Sequence, residues 1–198
     1  MQAAQVQTPR KPWKLLIVLA VCAAPMLLSY FFYYVVKPEG RTNYGSLLEP
    51  RNYPLPKLQS FDINTNTQRE LGDLKGKWVL MMSAGGNCDK ACQSNLYYLR
   101  QIRTAVGKEM QRVERVWFIT DQAMPISAVL HQFEGTHMWR TDAARLSSWL
   151  PVEAGAKFDE HIYVLDPLGN LMMRFPKDAD PAKVKKDLSK LLKASAIG

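Results

Sequence analysis

The stretch Trp78-Val79-Leu80-Met81-Met82-Ser83-Ala84-Gly85-Gly86-Asn87-Cys88-Asp89-Lys90-Ala91-Cys92 decides the fold of this chain. Residues 78–82 are continuously apolar, the pattern of a short strand covered on both faces in a parallel sheet. Residues 91–106 follow with Leu96, Leu99, Ile102 and Val106 at helical spacing. Two cysteines therefore stand where a buried strand hands over to a helix. A helix start presents unpaired N–H groups and the positive end of the helix dipole, which favour a thiolate over a thiol. With the helix beginning near Cys88, the i to i+4 spacing places both sulfurs on one face of its first turn, within reach of a disulfide or a shared soft ion. The competing reading is a pair with a purely structural role, buried or bonded as a staple.

Downstream, residues 113–120 contain Val116-Trp117-Phe118-Ile119 and predict a second buried strand. Helices are expected over 125–133 and 141–150, the latter ended by Pro151. Residues 161–165 and 171–175 flank the turn sequence Asp166-Pro167-Leu168-Gly169-Asn170 and predict a hairpin. Asp180 caps a last helix that has Pro181 at its first position and Val184, Leu188, Leu191 and Leu192 along one stripe. Upstream of the decisive strand, Phe61-Asp62-Ile63 and residues 71–76 predict an added hairpin and turn.

Before this domain, residues 15–36 carry no charge, and 22 residues at 1.5 Å each span about 33 Å. They predict a transmembrane helix. Arg10, Lys11 and Lys14 precede it while Lys37 and Arg41 follow, which favours a cytoplasmic N-terminus. Trp13 at one end and the aromatic run at 30–34 at the other suit interfacial anchors or packing positions. A cleaved signal peptide would have a shorter apolar core. Leu19-Ala20-Val21-Cys22 resembles a lipoprotein box, but Val21 fits it poorly and Cys22 reads as an apolar membrane residue. The expected organisation is a cytoplasmic tail at 1–14, a transmembrane helix at 15–36, a Pro-, Gly-, Asn- and Arg-rich linker at 37–56 and one α/β domain at 57–198. A bacterial inner membrane with the domain in the periplasm is the simplest setting, and there a nearby cysteine pair is oxidised by default.

The formal net charge of +8 is unevenly placed. Four basic and no acidic residues lie in positions 1–37, and six lysines face Asp178, Asp180 and Asp187 between residues 177 and 193. Lysines opposite a hydrophobic stripe form a solvated helix face or touch anionic lipid. No nucleic-acid motif accompanies them, and the chain carries no P-loop, zinc signature or Ser/His/Asp order.

The element order strand, helix, strand, helix, strand, strand, helix is that of a thioredoxin-like three-layer domain. Together with the single anchor, the Lys75-Gly76-Lys77-Trp78-Val79-Leu80 entry, the Cys88-x3-Cys92 pair and Phe118-Ile119-Thr120-Asp121, it resembles the SCO/SenC family of cytochrome c oxidase copper-assembly proteins over about residues 55–193. The resemblance implies a membrane-anchored protein that assists oxidase assembly, by carrying copper on Cys88 and Cys92 or by thiol-disulfide exchange through them. The expected partners are an oxidase subunit or its assembly factors. A non-catalytic assembly protein with a structural cysteine pair is the alternative.

The chain also departs from that family. Asp89 and Gln93 stand where prolines commonly follow the cysteines, and Gly85-Gly86 where an aromatic is common. The family's third copper ligand is a histidine preceded by Asp, and in its register Phe158 falls under that position. His161, three residues on, is the candidate third ligand. A shift of three along an extended strand turns the side chain to the opposite face, so this role requires the loop at 152–160 to reorganise. Two thiolates alone suit Cu(I), whereas Cu(II) calls for an imidazole as well. Met81, Met82, Met172 and Met173 offer thioethers but read as core filler, and Asp121 is placed to order the loop facing the cysteines.

Overall fold

A computed structural model describes residues 13–36 and 43–197. It forms two separate units divided between Thr42 and Asn43. The expected cytoplasmic tail falls mostly on residues 1–12 and the first part of the expected linker on 37–42, which lie outside the described residues.

The first unit is helix α1, Trp13–Phe31, continued by one π-helical stretch at Phe32–Val36. It runs on through Pro25. The segment Trp13–Val35 is 23 residues long with a mean hydropathy of 2.4, long and apolar enough to cross a membrane.

The second unit is a thioredoxin-like α/β domain built on one eight-stranded sheet. Its strands are β1 (Ser46–Leu47), β2 (Ser60–Asp62), β3 (Thr67–Arg69), β4 (Trp78–Ala84), β5 (Val113–Ile119), β6 (His137–Arg140), β7 (Tyr163–Leu165) and β8 (Leu171–Arg174). Their order across the sheet is β1-β8-β7-β4-β5-β6-β2-β3. β4, β5 and β6 run parallel, while β7, β8 and β1 on one side and β2 and β3 on the other are antiparallel.

Helices α2 (Lys90–Ala105), α3 (Ser127–Gln132) and α5 (Pro181–Ala194) cover one face, and α4 (Ala143–Trp149) lies on the other. This arrangement explains the unbroken apolar run of β4. Trp78, Leu80 and Met82 enter the core beneath α2 and α5, while Val79 and Met81 enter the core with Leu146 and Trp149 of α4. The last helix follows its sequence signals: Asp180 caps it by accepting from the Ala182 N–H, Pro181 opens it, and Val184, Leu188 and Leu192 are buried.

Three expectations need correction. First, residues 43–56 belong to the domain rather than to a structureless linker. The Tyr44 and Gly45 N–H groups donate to Asp187 Oδ2 at 2.6 and 3.0 Å, and β1 pairs with β8. Asp187 is 2% exposed, and these backbone donors on Oδ2 join the Lys190 ammonium, 3.2 Å from Oδ1, in offsetting the cost of burying its carboxylate. Second, β2 finds its hairpin partner in Thr67–Arg69, while Leu71–Leu74 is a 3-10 turn. Asp62 drives the tight turn by accepting from the Asn64 and Thr65 N–H groups. Third, His137–Arg140 forms β6 between β5 and β2. Its polar ends and four-residue length hide it in the sequence, because Met138 and Trp139 bury themselves in opposite cores.

Candidate functional site

β4 ends at Ala84, and the chain turns through Gly85, Gly86 and Asn87 before α2. Cys88 and Cys92 form a disulfide with Cα atoms 5.1 Å apart. The helix starts later than its cysteine spacing predicts. Asp89 is the N-cap and its carboxylate accepts from the Cys92 N–H at 2.9 Å, so Cys92 occupies the third helical position and Cys88 precedes the cap. Cys88 takes a left-handed backbone at φ +37°, where a Cβ is crowded. The Gln93 side-chain amide holds the Cys88 carbonyl at 3.0 Å.

The loop is seated by close approach. The Gly86 N–H donates to Asp121 Oδ1 at 2.8 Å, and the same oxygen accepts from the Ala123 N–H at 3.1 Å. A Cβ on Gly86 would overlap the Ala123 carbonyl, and one on Gly85 would come within 2.5 Å of Asp121 Oδ2. Glycines stand at 85 and 86 because the cysteine loop lies directly on the loop that follows β5. Asp121 orders that loop, as its position after the strand suggests.

Both cysteines are nearly buried, at 3% and 5% exposure, yet they line a cleft of about 450 Å³. Its opposite wall comes from Lys157, Asp159 and Glu160, ahead of β7, and from Lys177 and Asp178, beyond β8. Lys177 Nζ reaches Glu160 Oε1 at 2.5 Å across the rim, and this hydrogen bond holds the Glu160 carboxyl below its ordinary value and the Lys177 ammonium above its own. Asp178 has φ +53°. Two of the three left-handed non-glycine residues among the described residues thus face each other across the cleft. No local motif in the sequence announces this wall, because the β7–β8 hairpin assembles it from residues some seventy to ninety positions beyond the cysteines.

His161 is not brought to the cysteines. The imidazole is 1% exposed and lies 14 residues away from its main partner in sequence: Nδ1 meets the Phe175 carbonyl at 2.9 Å, and Nε2 accepts from the Glu153 N–H at 3.4 Å. A carbonyl only accepts, so the proton resides on Nδ1 and both ring nitrogens are engaged. The ring packs edge-on against Tyr163 at 6.0 Å. The loop at 152–160 keeps it there, with Phe158 packed against the α4-side core. Among the described residues no group of three or more His, Cys, Asp and Glu side chains is placed to hold a metal. Of the four methionines only Met82 lines the cleft.

The family described as transmembrane-like, thioredoxin-like, C-terminal domain matches residues 78–195. The chain belongs to this family. The match begins with β4 and closes with α5, so the cysteine loop and both walls of its cleft lie inside it. No curated protein sequence matches the chain. Among solved structures, the SCO1/SenC family lipoprotein of Bacillus anthracis has 17% identity and a TM-score of 0.54, covering 74% of this chain and 99% of its own. Copper-bound ScoI of Bradyrhizobium japonicum has 19% identity and a TM-score of 0.50, covering 67% and 96%. A thiol:disulfide interchange protein from a Bacteroides species has 17% identity and a TM-score of 0.53, covering 77% and 91%. The domain shares the thioredoxin-like fold of copper-binding SCO proteins and of thiol-disulfide oxidoreductases alike.

Proposed function

We propose that this chain is a membrane-anchored thioredoxin-like protein that exchanges thiols and disulfides through Cys88 and Cys92 in the assembly of cytochrome c oxidase. The observation that carries the reading is the disulfide placed between a buried parallel strand and the N-cap of α2, in a cleft. In the reduced state one thiolate attacks a client disulfide and the other resolves the mixed disulfide, so the client gains two thiols as Cys88 and Cys92 become bonded. The N–H groups of the first turn of α2 favour the thiolate, and Asp89 opposes it. The client would be the copper-site cysteines of the oxidase. On this reading residues 15–36, from α1 and its π-helical continuation, are the membrane span, residues 1–14 are cytoplasmic, and the domain from Asn43 onward is periplasmic, tethered through the segment before it.

Copper as cargo is the second reading, favoured by the two sulfurs meeting in one place. The reduced pair would hold Cu(I), which accepts two thiolates, and the engagement of both His161 nitrogens argues for a two-sulfur site without the imidazole.

Measurement of the disulfide's reduction potential, with anaerobic Cu(I) titration of the reduced chain, tests both. Exchange predicts a potential above about −300 mV, and a structural staple one below it. The copper reading predicts one tightly held Cu(I) that is lost in either Cys88→Ser or Cys92→Ser. A pair that resists mild reductant in the folded protein and, once reduced, binds no Cu(I) would refute both and leave a non-catalytic assembly protein.

A further inference from the structure

The basic run of α5 resolves into one stripe. Lys183, Lys186, Lys190 and Lys193 recur along the helix at spacings of three, four and three residues. At about 100° and 1.5 Å per residue they occupy an arc of about 80° over about 15 Å. Val184, Leu188 and Leu192 are buried on the other side, so the lysines face away from the core. The carboxylates of the same helix neutralise the stripe only in part. Asp187 is buried and holds the Tyr44 and Gly45 N–H groups together with Lys190, while Asp180 caps α5 and stands 4.0 Å from Lys183. Lys186 and Lys193 are exposed, and among the described residues no carboxylate pairs with either.

The chain enters the domain beside this stripe. Lys190 Nζ donates to Asn43 Oδ1 at 3.4 Å, Lys183 Nζ lies 5.1 Å from the centre of the Tyr44 ring, and the Asp180 N–H donates to the Tyr44 hydroxyl at 3.1 Å. Residues 37–42 alone separate Asn43 from Val36, the end of the apolar segment. Seven chain steps reach at most about 25 Å. With residues 15–36 in a bilayer, the stripe is therefore held beside a lipid surface at high effective concentration, which no acidic partner free in solution shares. Lys37 and Arg41 against Glu39 add one net positive charge to the tether.

We propose that α5 docks the domain on the bilayer that anchors the chain, with the lysine stripe lying against anionic phospholipid headgroups. The inference rests on residues 15–36 being the membrane span. Ammonium groups attract headgroup phosphates individually by little, but four on one face act together, and salt screens them.

The test uses the full chain in nanodiscs of phosphatidylcholine alone or with about 30% phosphatidylglycerol, and reads the acetylation rate of each lysine by mass spectrometry. The anionic lipid should slow Lys186 and Lys193 by at least about threefold, and about 0.5 M NaCl should restore their rates. Lys57 and Lys75, adjacent in sequence to Leu58 and Leu74 on the α4 side, should react alike in both discs. Lys186→Glu combined with Lys193→Glu, both at exposed positions, should abolish any slowing at Lys183 and Lys190. Equal rates for Lys186 and Lys193 in the two compositions overturn the docking and leave the stripe a solvated face. Equal slowing at Lys57 and Lys75 overturns it as well, because lipid contact is then not confined to α5. A chain that neutral discs fail to retain refutes the span itself, and the docking with it.

Discussion

Replacing Gly86 by alanine should be far more disruptive than a single methyl group suggests. The new Cβ would overlap the Ala123 carbonyl and lie 2.6 Å from its carbon. Both atoms are backbone, so no side chain can rotate away, and the cysteine loop must lift from the loop after β5. Lifting it also lengthens the 2.8 Å hydrogen bond from the Gly86 N–H to Asp121 Oδ1. Overpacking of this kind costs about 1–3 kcal/mol, and a hydrogen bond to a charged acceptor contributes about 1.5–3 kcal/mol, so a loss of roughly 3–5 kcal/mol is expected. For a domain of this size that corresponds to a fall in melting temperature of about 10 °C. Gly72→Ala is the internal control, because a Cβ there meets nothing within 4 Å and its backbone φ is not in the left-handed region. It should be neutral or stabilise by a few tenths of a kcal/mol, up to about 1. Thermal and urea unfolding of both variants, with the rate of disulfide reduction by dithiothreitol as a second readout, provides the assay. The Gly86 variant should melt early and be reduced faster. If it unfolds within about 0.5 kcal/mol of Gly72→Ala and is reduced at the parent rate, the close seating of the two loops does not exist as described.

The remaining predictions concern the framework and its pH dependence. His161→Ala removes a buried ring and leaves the Phe175 carbonyl unpaired, so it should destabilise the domain by about 2–4 kcal/mol in urea unfolding while leaving Cu(I) affinity of the reduced pair unchanged. A fall in Cu(I) affinity would return His161 to the site. Asp187→Ala abandons the Tyr44 and Gly45 N–H groups and should cost about 2–3 kcal/mol, with faster hydrogen exchange at those two amides. Unchanged exchange there would contradict the docking of this segment. The hydrogen bond from His137 holds the Glu114 carboxyl below its ordinary 4.5, so its contribution is fully present above pH 4.5 and is lost as pH falls through the lowered value. Glu114→Gln should therefore flatten the acid limb of stability against pH by under about 1 kcal/mol, and an identical acid limb in the variant would refute the pairing.

Much of this protein was legible in its residue order, because the relevant physics is local. An uncharged run of membrane length, a doubly covered strand at Trp78, the helical stripe of Leu96, Leu99 and Ile102, and the Asp180-Pro181 start of α5 each express backbone and solvent preferences that act over a few neighbours. The thioredoxin-like order and the placement of Cys88 and Cys92 at a strand-to-helix junction follow from those preferences alone. Tertiary structure decided what depends on distant partners. Tyr44 and Gly45 became part of the domain because Asp187, more than 140 residues away, needed donors. The short polar-ended segment His137–Arg140 became a strand because β5 and β2 offered it ladders on both sides. His161 was turned from the cysteines by the Phe175 carbonyl and the Glu153 N–H, and the far wall of the cleft was set by where the β7–β8 hairpin ends. Local sequence carries no record of a hydrogen-bond partner fourteen or a hundred and forty residues away, so only the folded chain could assign these roles.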